Sequence, residues 1–334
     1  ATGAYSLHSN TTGEQNVSSG YTSLYYNTTG TNNTAIGYES LRGNTTASQN
    51  TACGWSALYS NTTGNYNTAS GYSALYSNTT GSENTACGRS ALHYNTTASY
   101  NTAVGWKALL TNTTGANNTA CGYNAFYSNT TATQSTAIGS HALYTNTTGE
   151  RNTACGRSAL HKNTTGQYNT AVGYFALEAN TTGSNNTACG NSALQDNTTG
   201  ASNTAYGLEA LSNNTTGEHN VACGRSALNT NTTGSWNIAS GYQALYSNTT
   251  GYHNTAFGYK AGFNITTGLY NTCLGFNSET SSATVDDEMV LGDWHITTLR
   301  CNTSTISALS DARDKTEVEP SPLGIDFINT LNPV

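Results

Sequence analysis

The segment Asn61–Ser77, NTTGNYNTASGYSALYS, decides how this chain is read, because it recurs in phase every 17 residues. Asn-Thr-Thr stands at Asn10, Asn27, Asn44, Asn61, Asn78, Asn95, Asn112, Asn129, Asn146, Asn163, Asn180, Asn197, Asn214, Asn231 and Asn248, with no insertion or deletion. A unit this short cannot enclose its own apolar face and buries it by stacking on its neighbours. The spacing therefore predicts an elongated rod and a function that a rod can perform.

Within the unit Asn27–Gly43, the run Asn33-Thr34-Ala35-Ile36 is β-prone and closed by Gly37, so it reads as a strand and a tight bend. Tyr38-Glu39-Ser40-Leu41 reads as a second strand, and Arg42-Gly43-Asn44-Thr45-Thr46 carries the chain into the next unit. Asn, Thr and Gly are poor helix formers and no 3.6-residue apolar stripe runs through the unit, so the class is all-β. Adjacent positions of the first strand are both kept apolar or small: Ala35 heads a column of alanines, and Ile36 a column that continues Cys53, Ser70, Cys87, Val104. Neighbouring strand residues point to opposite faces, so two-sided burial predicts a partner chain on one of them and hence a homo-oligomer.

Composition fits an ordered polar solenoid. Only 9% of the residues are charged, yet there are 22 Tyr and regular Ala and Leu, unlike a disordered chain. A net charge of −7 with 11 Lys and Arg leaves no basic stripe for nucleic acid. No apolar run approaches the ~18 residues of a membrane span. Ala1 falls inside a repeat, ATGAYSLHS aligning with AIGYESLRG further on, so the sequence is expected to be cut from a longer protein.

The NTAxG strand with its Gly in every unit resembles the head repeats of trimeric autotransporter adhesins. It resembles more closely the NTAxGxxALxxNTTG arrays of phage tail-fibre-like proteins. Over residues 1–275 the resemblance implies a parallel β-solenoid or β-roll, in a homotrimer. After Gly275 the period stops; residues 276–309 read as a capping transition in which Val290-Leu291-Gly292-Asp293 keeps the strand-and-Gly signature and Asp286-Asp287-Glu288 adds charge against end-to-end stacking. Residues 310–334, with Ser310-Asp311, Arg313, Lys315 and GIDFINTLNPV, resemble the opening of the endosialidase-type intramolecular chaperone domain of phage tail spikes. That resemblance implies self-cleavage at the Ser310-Asp311 junction, with Ser310 as nucleophile and Lys315 assisting.

Three sets of residues are candidates for chemistry. Asn-Thr-Thr is a glycosylation acceptor in a secretory pathway, so the fifteen asparagines above and Asn264 are candidate glycan sites; Asn32, Asn117, Asn185 and Asn302 also fit the rule. The other reading places Asn and Thr at the corners as side-chain ladders between coils. Tyr38, Trp55, Tyr72, Trp106 and Tyr123, each following the Gly, could stack on sugars of a cell-surface glycan or receptor, or simply cover neighbouring coils. Cysteines at 53, 87, 121, 155, 189 and 223 lie two units apart. With one unit per coil that is ~9–10 Å, too far for a disulfide; with two units per coil they would stack and could pair. Small buried thiols are the simplest reading of them, and no zinc spacing is present. No cofactor, metal site or enzyme acting on an outside substrate is expected. The function read from the sequence is a structural fibre, tail fibre or adhesin. The alternatives are a glycosylated extracellular filament subunit that polymerises end to end and a self-cleaving chaperone junction.

Overall fold

The computed structural model describes residues 1–298. Among these, seventeen three-residue strands run from β1 (Val17–Ser19) and β2 (Thr34–Ile36) to β16 (Thr272–Leu274) and β17 (Met289–Leu291) and form one parallel sheet. Each strand pairs with the strand 17 residues on, in register: Ala35 lies against Ala52 and Ile36 against Cys53. One repeat unit is therefore one coil of a β-solenoid, and the arrangement with two units per coil is excluded. Sixteen strand spacings of ~4.8 Å make a stack ~77 Å long. The stack continues past residue 275, because β17 adds a further in-register strand and the compact unit extends over Ala1–Asp293.

The strand is short because the Gly that follows it turns the chain. Gly105 has φ +133°, and a Cβ placed on it would lie 2.4 Å from the carbonyl oxygen of Gly122 in the next coil. Only a residue without a side chain meets both demands.

The expected second strand, Tyr38–Leu41, is not formed. That segment is a series of turns in which Glu39 (φ 55°) and Leu41 (φ 49°) are left-handed and the residue between them is not. The N–H groups of the two left-handed residues run in opposite directions along the stack: Glu39 donates back to the Tyr21 carbonyl (2.9 Å) and Leu41 forward to the Ala57 carbonyl (2.9 Å), while Ser40 between them donates within its own coil to the Gly37 carbonyl (3.4 Å). A left-handed Leu costs roughly 1–2 kcal/mol. Full burial of its side chain, at about 1.5–3 kcal/mol, offsets that cost. Leu41, Leu58 and Leu75 are completely buried, as is Phe126, which takes the Leu position in its own coil.

The apolar interior is thus three thin columns: the strand alanine, the Ala or Ser before the Leu, and the Leu itself. The other strand column points outwards. Ile36, Val104, Ile138 and Val172 are exposed in the single chain, so two-sided burial does not occur within one copy.

Replacing Gly105 with Ala is expected to cost about 3 kcal/mol or more, from backbone strain and the clash with Gly122 together. Urea unfolding followed by circular dichroism measures it. A Gly105→Ala variant within ~0.5 kcal/mol of the parent would contradict the corner geometry described here.

Candidate functional site

The Asn-Thr-Thr asparagines lie inside the solenoid. From Asn27 to Asn248 all fourteen are fully buried, and each side chain joins two coils. Asn44 Nδ2 donates to Asn27 Oδ1 of the preceding coil (2.8 Å) and to the Ala47 carbonyl of its own corner (2.9 Å). The strand-entry asparagines form a second ladder: Asn33 Oδ1 accepts the Asn50 N–H (3.0 Å), and Asn33 Nδ2 donates to that same Ala47 carbonyl (2.8 Å). One corner carbonyl thus receives an amide from its own coil and an amide from the coil before.

An N-glycan would replace an Nδ2 hydrogen that is already donated and would need space where none is exposed. Glycans on the asparagines from Asn27 to Asn248 are therefore incompatible with this fold. Asn10, at the start of the stack, is only half-buried and has a single donated bond, to the Gly13 carbonyl (2.9 Å). Asn264, together with Asn32, Asn117 and Asn185, stands exposed.

The aromatic residues after the Gly stack on one another. Tyr38 lies parallel to Trp55 (5.8 Å between centroids), and Trp55 to Tyr72 (4.6 Å). The Arg89 guanidinium covers Tyr72 (5.4 Å) and ends the run. Trp106 stacks on Tyr123 (4.8 Å), with the Lys107 ammonium 4.3 Å from its ring. A sugar stacks on an aromatic face, and here the faces are occupied by neighbouring coils. These five residues cover the coils beneath them. Further ring ladders went unread in the sequence although the same 17-residue spacing marks them, among them Tyr59, Tyr76 and His93; Tyr127, Tyr144 and His161; and His219, Trp236, His253 and Tyr270.

The periodic cysteines are a correction to the reading of buried thiols. Cys53, Cys87, Cys121, Cys155 and Cys223 are exposed, Cys189 is half-buried, and all six are free. They belong to the outward strand column with Ile36, Ser70 and Val104, where Ser70 separates Cys53 from Cys87. Beside them runs the exposed or half-buried first residue of each strand, Thr in most coils and Val or Ile in a few. No charged residue stands in either column, so the outer face of the sheet is a long uncharged strip. Cys273 differs: it occupies the alanine position of β16 and is fully buried. Burial, with Glu279 and Glu288 nearby, pushes its thiol up to about 11.

Among the described residues no three metal-ligating side chains cluster, and no helix is long and apolar enough to cross a membrane. Ser310, Asp311 and Lys315 lie outside the described residues, as does Asn302. Comparison with protein-family models and with curated proteins gave no match.

Reactivity separates the two kinds of thiol. On folded single copies of the chain at about pH 8, iodoacetamide is expected to label the six periodic cysteines, Cys189 more slowly, and to leave Cys273 unlabelled until the protein is unfolded, since only an accessible thiolate reacts. Peptide mass spectrometry reads the result. Labelling of Cys273 as fast as Cys53 would contradict its place in the interior.

Proposed function

We propose that the chain is a structural fibre protein, a rigid rod of the tail-fibre or surface-adhesin kind that serves attachment to a host or surface outside the cell. Its copies associate through the outer face of the sheet. The observation that carries this reading is that face itself: in-register strands with no charge in either outward column and with Ile36, Val104, Ile138, Val172, Tyr206 and Phe257 exposed along one line. A strip of this kind is what an interface core needs, depleted of charge and apolar along its centre. Rigidity is supported by backbone hydrogen bonding of each internal coil to both neighbours. The chaperone-like residues 310–334, by their resemblance, would assist assembly.

Sedimentation velocity tests the reading. The parent chain is expected to sediment as an oligomer, and Val104→Asp or Val172→Asp to weaken association about tenfold or more, because each puts an unpaired carboxylate into the contact. Monomeric parent protein, or variants that associate as the parent does, would overturn it.

A further inference from the structure

The outward strand column has a second regularity besides its cysteines. About Ile138, the residues on either side match as if the column were folded back upon itself. Going outwards, Cys121 corresponds to Cys155, Val104 to Val172 and Cys87 to Cys189. Further out, the small Ser70 corresponds to the large Tyr206, then Cys53 to Cys223 and Ile36 to Ser240, and near the ends the small Ser19 corresponds to Phe257. The two valines meet, thiols meet thiols, and each bulky ring meets a serine; Ile36 against Ser240 is the one pair of unlike size without a ring.

We infer that two copies of this chain pack outer face to outer face with their coil stacks antiparallel, related by a two-fold axis that passes at Ile138. In a two-fold interface a residue that contacts a second residue is contacted by it in return, so one column serves both sides. The antiparallel register fills space evenly: Tyr206 of one copy lies over Ser70 of the other, and Phe257 over Ser19. A parallel register would set Tyr206 on Tyr206 and Phe257 on Phe257, and would leave gaps where Ser70 meets Ser70. Packing at interface cores is as dense as in protein interiors, so rings pressed against rings beside voids are disfavoured. Centring the axis on Val104 or Val172 instead leaves some cysteines facing other residue types. Ile138 is the centre at which all six thiols face thiols and the strands overlap along nearly their whole length.

The area is sufficient. Fifteen facing strands at ~4.8 Å and a width of ~10 Å give about 700 Å² on each copy, within the range of a standard specific interface. Facing sheets lie ~10 Å apart, whereas a disulfide needs Cα atoms within ~7 Å, so the facing thiols are neighbours that remain reduced.

The inference rests on the self-association proposed above, and one experiment separates the two. Two full-length variants are made, one keeping Cys53 and the other Cys223 as its only periodic cysteine, the rest and Cys301 being replaced by Ser; Cys273 stays. Serine is already the native residue of this column at Ser70 and Ser240. Each variant alone, and a refolded mixture of the two, is treated with a short bis-maleimide and run on a denaturing gel. Antiparallel packing predicts a covalent dimer in the mixture and none from either variant alone, since Cys53 of one copy is then ten coils from Cys53 of the other. A covalent dimer from the Cys53 variant alone would overturn the antiparallel register and leave self-association standing. No covalent dimer in any sample, with monomer on sedimentation, would overturn both. A size exchange gives a second reading: Ser70→Tyr is expected to weaken association at least tenfold, and Ser70→Tyr combined with Tyr206→Ser to restore it. Failure of that restoration counts against the pairing of these positions.

Discussion

Most coils of this solenoid depend on one convergence of hydrogen bonds, in which the amides of two asparagines meet at a single corner carbonyl. Asn61 reaches the Gly64 carbonyl from within its coil (2.9 Å) and Asn50 reaches it from the coil before (2.9 Å). A corner that turns inwards would otherwise leave its carbonyl buried and unpaired, at a cost of about 1–3 kcal/mol each time. Because the same Asn61 amide also binds Asn44 Oδ1 (3.1 Å), closing one corner sets the height of the next. The fixed 17-residue period follows from this coupling: an inserted residue would break two ladders together. One substitution shows which part is dispensable. Ser135 replaces a strand-entry asparagine, and its hydroxyl still accepts the Asn152 N–H (3.1 Å), but no amide is left to reach the Gly149 carbonyl, which keeps only Asn146 (2.9 Å). The ladder ends at Asn248, where Ile265 fills the next asparagine position and Asn248 Oδ1 has no hydrogen-bond partner among the described residues.

The same constraint shapes the surface. Polar ladders on the inside and a thin core of Ala and Leu leave the large residues nowhere to go but outwards. Tyr and Trp rings then stack at the coil spacing, and the outward strand column collects Ile, Val, Tyr, Phe and free thiols. The inner residues scarcely vary from coil to coil, whereas the outer column varies while keeping its thiols two coils apart. The interior thus specifies the coil stack, and in the association proposed above the outer column specifies the partner.

Much of this was legible in the sequence. The strand at Thr34–Ile36 and its closing Gly37 follow from the spacing and residue types, whereas the choice between one and two units per coil is decided by the register of Ala35 on Ala52. The strand reading of Tyr38–Leu41 failed because Glu39 and Leu41, residue types that seldom take left-handed backbone, adopt it here under the pull of hydrogen bonds to the coils on either side. The asparagines were ambiguous for a physical reason: a residue suited to an internal amide ladder and a glycan acceptor share the same letters, and only burial separates Asn61 from Asn32. The cysteines were placed on the wrong face because Ala52 and Cys53 are both small, and their order along a strand does not say which points inwards.

The most direct measurement of the central claim is the stability of Asn112→Leu, which keeps the size of the side chain but removes its bonds to Asn95 Oδ1 (2.8 Å) and the Gly115 carbonyl (2.9 Å) and strips Asn129 of its acceptor. Urea unfolding of this variant is compared with that of Thr114→Val, a change at an exposed threonine two residues away. If the amide ladders hold the stack together, Asn112→Leu loses about 3 kcal/mol while Thr114→Val stays within ~0.5 kcal/mol of the parent. An Asn112→Leu protein as stable as the threonine variant would show that the apolar columns alone suffice and that the ladders are incidental.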